Sequence, residues 1–157
     1  MAENLNFESE QSWCYDNDSA SCDVAGRLYT WAAAMESICP AGWHLPSSAE
    51  WKTLFDFVGE GFDTEGIRLK SQTGWKDSGY RGTNDFGFSA LPAGYASYYR
   101  PVYVFEGAGR ITEYWTSTEK EGPEAYAFVG ALAYQHMTGF IYEERKEGAS
   151  SVRCVKD

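Results

Sequence analysis

Apolar positions along the chain change their period once. Trp31, Met35 and Ile38 fall at i, i+4 and i+7, and the intervening Ala32-Ala33-Ala34 favours helix. This predicts a short helix over 30–38, capped by Thr30 and stopped by Pro40. Ser47-Ser48-Ala49-Glu50 is a capping box with Pro46 just ahead of it, and it predicts a second helix start. Trp51, Leu54, Phe55 and Val58 then form one buried stripe, and Gly59 suits a left-handed terminating position. Residues 60–87 are punctuated by Gly74, Gly79, Gly82 and Gly87 and read as loop, with a short helix near 64–69.

Beyond residue 87 the period becomes two. Strands are predicted over 88–95 (bent at Pro92), 110–118, 124–134, 139–143 and 151–155. In the second of these, Ile111, Glu113 and Trp115 share one face, and Thr112, Tyr114 and Thr116 the other. Helices early and strands late predict an α+β fold, with two helices packed on small antiparallel sheets joined by long loops.

Composition narrows the classes of function. The 157 residues suit one domain spanning 1–157, and an aromatic fraction of 17% argues against disorder. Lys and Arg number 13 against 23 Asp and Glu, a net charge of −10 with no basic cluster. Phosphate neutralisation needs a basic face, so nucleic-acid binding is excluded, and anionic membrane surfaces are disfavoured. No apolar run approaches a membrane span, so no membrane insertion by this segment is expected. Met1–Asn6 lacks the basic and apolar regions of an export signal, so an exported protein would carry its signal or anchor outside this sequence.

Four cysteines allow three connectivities. Cys14 and Cys22 bracket the polar segment 15–21, which a local bridge would staple. Cys39 and Cys154 would then tie an early segment to the last strand. Two bridges imply an oxidising compartment; four reduced thiols in a cytosolic protein are the alternative.

Several blocks resemble a known family: Cys14-Tyr15-Asp16-Asn17-Asp18, Gly26-Arg27-Leu28-Tyr29-Thr30-Trp31, Cys39-Pro40-Ala41-Gly42-Trp43-His44-Leu45-Pro46-Ser47, Gly87-Phe88-Ser89-Ala90-Leu91-Pro92, Tyr114-Trp115-Thr116-Ser117 and Ser151-Val152-Arg153-Cys154-Val155. Together they resemble the Fibrobacter major paralogous domain family and, more distantly, formylglycine-generating-enzyme-like proteins. The resemblance implies a C-type-lectin-like fold in a secreted or cell-surface protein, without a defined activity. In that fold a bridge joins the first helix region to the last strand, in keeping with Cys39–Cys154. It also allows structural calcium, and a role as the variable protein of a diversity-generating retroelement.

Calcium needs clustered oxygens. Asp16, Asn17, Asp18 and Asp23 form one candidate group, and Asn84 and Asp85 another; turn-forming residues and a solvated acidic loop are the bland alternatives. Glu121-Gly122-Pro123-Glu124 only loosely echoes the sugar-binding tripeptide of calcium-dependent lectins. His44 reads as structural, packed between helices. Trp31, Trp43, Trp51, Phe55 and Trp115 are assigned to the core.

Two Tyr/Phe-rich runs remain for function. The first holds Tyr98, Tyr99 and Tyr103; the second holds Tyr126, Phe128, Tyr134, His136, Phe140 and Tyr142. Such residues supply rigid contact area, and they predict a non-catalytic module that binds a protein or a glycan. The alternatives are a formylglycine-generating-type oxidoreductase, which needs a free thiolate, and a structural cell-envelope subunit. No cofactor is expected.

Overall fold

The computed structural model describes residues 1–122 and 125–157. Its helices are α1 (Ser19–Ala25), α2 (Trp31–Met35), α3 (Ser48–Gly59) and α4 (Glu65–Leu69). The strands are β1 (Ser12–Trp13), β2 (Leu28–Thr30), β3 (Trp43–His44), β4 (Tyr95–Tyr99), β5 (Val102–Glu106), β6 (Ile111–Glu119), β7 (Tyr126–Ala133), β8 (Gly139–Arg145), β9 (Ala149–Ser150) and β10 (Val155–Lys156). They form sheets ordered β1-β2-β9-β4-β5, β6-β7-β8 and β10-β3, with every strand pairing antiparallel. The fold is α+β, as the order of elements requires.

The capping box forms as read. Ser47 accepts from the Glu50 amide, and the Glu50 carboxylate accepts from the Ser47 amide. The helix then runs one residue further than expected. Gly59 ends it in helical conformation, and Glu60 takes the left-handed position at φ 50°. Gly59 instead packs closely on α4, where a Cβ would lie 3.0 Å from the Glu65 carboxylate.

In α2, Thr30 caps through the Ala33 amide as expected. The helix stops at Met35, and Ser37 turns left-handed before Ile38 is reached, leaving Met35 exposed. The first segment departs most from expectation. Residues 15–25 hold a 3-10 turn followed by α1, whose N-cap Asp18 accepts from the Ala20 amide at 3.1 Å.

In the β6-β7-β8 sheet, β6 and β7 are buried on both faces over most of their length, and β8 is a half-buried edge. Trp115, Val129 and Tyr142 line up across the sheet against Tyr29, Ala33, Leu45 and Val152. Tyr114, Leu132 and Ile141 face the other way, under Trp51 and Phe55 of α3. The helix reaches the sheet because Gly130 and Gly139 have no side chain. A Cβ on either would lie 2.8 Å from the Trp51 or Phe55 ring. Trp51, Phe55 and Trp115 are therefore core, whereas Trp31 and Trp43 are half-buried at its rim.

Two expected strands are redrawn. Residues 88–94 carry only isolated bridges, Lys70 with Ala90 and Gly94 with Thr112. The regular pairing comes later, in the β4–β5 hairpin, whose two-residue connection contains a cis Arg100-Pro101 bond. The final strand is split. β9 joins the five-stranded sheet, β10 joins β3, and buried Ser151–Cys154 crosses between them. Both disulfides form as paired above, Cys14–Cys22 and Cys39–Cys154, and no cysteine is free. No helix among the described residues is long and apolar enough to cross a membrane.

Candidate functional site

The two aromatic runs do not make one surface. In the hairpin, alternation puts Tyr95, Ser97 and Tyr99 on one face with their cross-strand partners Glu106, Val104 and Val102. Tyr98 and Tyr103 lie on the opposite face, their rings 4.9 Å apart, with the Tyr103 ring tilted against Trp13 at 4.1 Å. Tyr103 and Phe105 thus pack on the cluster built around Leu28, Ala96 and Ala149.

The second run divides in the same way. Tyr126 and Phe128 share the face of Leu132, where Lys120 and Arg145 lie over the Tyr126 ring at 5.6 and 5.5 Å. Phe140 and Tyr142 occupy the other face, and their rings continue a row begun by exposed His136, with centroids 5.3 and 6.3 Å apart. Tyr134 stands apart from this row, under the Lys76 ammonium at 5.6 Å.

The row is held rigidly. Fully buried Lys70 donates to the carbonyls of Ala133 and His136, both at 3.0 Å, and so pins the connection between β7 and β8. Burial without a carboxylate partner lowers its pKa to about 8. From α4, the Ile67 amide donates to Met137, and Glu65 accepts from the Gly139 amide.

At the far end of the row, Tyr142 donates to Glu113 at 2.5 Å, and the Ser150 hydroxyl donates to the other carboxylate oxygen at 3.1 Å. Glu113 is only 2% exposed. Burial pushes its pKa up to about 7; the Glu144 charge adds to the rise, and its two hydrogen bonds oppose it. Burial likewise raises Tyr142, reinforced by Glu113. Tyr95 is raised by burial and then by the charges of Glu106, Glu113 and Glu144, which places the hairpin face beside this end of β8. A cleft of about 430 Å³ opens there, lined by Ser97, Tyr98, Tyr99, Glu144, Arg145, Glu147 and Gly148. Arg100 closes one side through an ion pair with Glu147 at 2.9 Å.

Of the expected binding residues, Tyr98 and Tyr99 line this cleft, whereas His136, Phe140 and Tyr142 form the row and are not part of its lining. Tyr98 lines it only from the opposite face of its strand. Tyr103, Tyr126, Phe128 and Tyr134 lie elsewhere. Glu113, Tyr95, Ser97, Glu144 and Glu147 were not singled out from sequence. Glu113 had left a signal, since alternation puts this carboxylate on the inward face of Trp115.

The acidic candidates have local work. Asp18 caps α1, Asp16 occupies a left-handed turn position, and Asp23 lies exposed on α1. Asn84 accepts from the Ser89 amide at 2.6 Å, and Asp85 pairs with Arg68 at 3.1 Å. Among the described residues no group of three His, Cys, Asp or Glu could hold a metal ion. In the sugar-motif echo, Pro123 and Glu124 lie outside the described residues. His44 is not packed between helices. It sits half-exposed on β3, with Nδ1 2.6 Å from Asp157 and Nε2 2.8 Å from Glu50.

Comparison with curated proteins and with solved structures finds no match. A family model does match, the Fibrobacter succinogenes major domain, over residues 1–156. With the match running nearly end to end, the chain belongs to the Fibrobacter succinogenes major domain family.

Proposed function

We propose that this chain is a non-catalytic binding module of a secreted or cell-surface protein, with a lectin-like organisation. Its recognition surface is the aromatic row on β8 together with the adjoining cleft. The observation that carries this reading is the rigid row His136, Phe140 and Tyr142, held by Lys70 at one end and by Glu113 at the other. Flat rings beside hydroxyl and carboxylate groups suit a glycan, whose apolar faces stack and whose hydroxyls hydrogen-bond. A protein loop is the other ligand such a surface accepts.

Two further facts support the reading. All four cysteines are in bridges, so a formylglycine-generating type of chemistry lacks its thiolate nucleophile. The same bridges favour an oxidising compartment.

A glycan array followed by titration calorimetry tests it. Phe140→Ala and Tyr99→Ala are expected to abolish binding of any hit, and Phe128→Ala, on the opposite sheet face, to leave it intact. Binding that follows Phe128 and ignores Phe140 would refute this assignment. Glycan silence with capture of a defined protein through Phe140 would make the ligand a protein.

A further inference from the structure

The five-stranded sheet ends at β5, whose outer side pairs with nothing among the described residues. The two-residue connection makes Tyr99 and Val102 the closing hydrogen-bonded pair of the hairpin. Alternation then turns the peptide groups of Tyr103 and Phe105 outward. The placement of Ala96, the partner of Phe105, agrees. Its strand pairs with β9 on that side, and its carbonyl faces Gly148.

Above this free edge lies an apolar strip of cross-strand neighbours, with Tyr99 60%, Val102 55% and Val104 41% exposed. Natural edges are commonly guarded by charge or proline along their length. Here Pro101 and Glu106 stand only at the two ends, leaving the centre unguarded.

We propose that β5 is a self-association strand: two copies of this chain pair antiparallel, β5 to β5, across a two-fold axis at Val104. In that register Tyr103 of each copy exchanges peptide hydrogen bonds with Phe105 of the other, and Val104 meets Val104. Pro101, which has no donor, falls outside the ladder. The occupant is a second copy because the edge offers both partners of a charge pair to its own image. Arg100, which holds Glu147 within the chain, lies at one end and Glu106 at the other, and antiparallel pairing brings the guanidinium diagonal to the second copy's Glu106. Such an isologous contact closes at two subunits and cannot grow into a filament. The interface is small and each copy carries −10, so association is weak and strengthens with salt.

Sedimentation equilibrium from about 5 to about 500 µM should show a monomer–dimer equilibrium. Val104→Lys sets like charges on the axis and should weaken it by about tenfold or more. Arg100→Glu or Glu106→Arg alone should weaken it, and the two together should restore it. Val104→Cys should cross-link the dimer under oxidation; circular dichroism confirms that each variant is folded. A monomer at every concentration overturns the proposal. So does a dimer indifferent to Val104→Lys, or a β5 edge protected from hydrogen exchange only by a different protein.

Discussion

Tyr142 and Glu113 meet at 2.5 Å at the end of the aromatic row on β8, a phenol donating to a carboxylate whose one other hydrogen bond among the described residues comes from the Ser150 hydroxyl. No ion pair neutralises Glu113 among the described residues, so burial favours its protonated form.

This has a consequence for stability against pH. The pKa of Glu113 is about 7 in the fold against an ordinary 4.5. A carboxyl raised on folding contributes stability in full below pH 4.5, and the contribution is lost as pH rises through 7. Glu113→Gln keeps a neutral partner for Tyr142 and Ser150 and has no such loss. Relative to wild type, the variant should gain on the order of 2–3 kcal/mol between pH 5 and pH 8. Paired thermal melts across that range measure it; parallel curves would disprove the assignment.

His44 should titrate high. Its hydrogen bonds to the Asp157 carboxylate, then to that of Glu50, raise it above the ordinary 6.5, while Glu50 is lowered from 4.5, first by the Ser47 amide. The His44 contribution is present below 6.5 and lost as pH rises through its raised value. The Glu50 contribution is present above 4.5 and lost as pH falls through its lowered value. Both are therefore in place between these ordinary values. An NMR titration should put the imidazole above 6.5 and move it back down in Asp157→Asn. An unchanged midpoint in that variant would contradict the bridge.

What was legible in the sequence was local. Ser47 and Glu50 announced α3 because a capping box is satisfied within four residues. Cys14 and Cys22 announced a staple for the same reason. Non-local features were hidden. Nothing near Gly130 or Gly139 shows that α3 will lie on them, since Trp51 and Phe55 are far off in sequence. The hairpin was missed because both parities of Tyr95–Tyr99 are aromatic or small, so no alternation stands out. The surface was only half readable. Strand parity says that Tyr98 and Tyr99 must part, but register alone says which neighbours each will meet.

The two disulfides should differ in weight. Cys39–Cys154 spans 115 residues and Cys14–Cys22 spans 8. In the chain-entropy model these loops correspond to about 5 and about 2.5 kcal/mol. Cys39→Ala with Cys154→Ala should therefore lower the melting temperature clearly more than Cys14→Ala with Cys22→Ala. The reverse order would mean that the short bridge acts on the native state by holding α1, and not on the unfolded chain.

Tyr114 provides a test with the opposite sign. It is fully buried, its ring is stacked on Trp51 at 5.1 Å, and its hydroxyl has no hydrogen-bond partner among the described residues. A buried donor left unpaired costs its desolvation without return. Tyr114→Phe keeps the ring, and with it the stack on Trp51 and the Arg153 guanidinium 5.5 Å from the ring centre. The substitution should therefore be neutral or stabilise by about 1 kcal/mol, unlike most core changes. Urea unfolding measures it. A loss of more than about 1 kcal/mol would show that the hydroxyl has a hydrogen-bond partner, and that α3 packs on a more polar seam than its rings suggest.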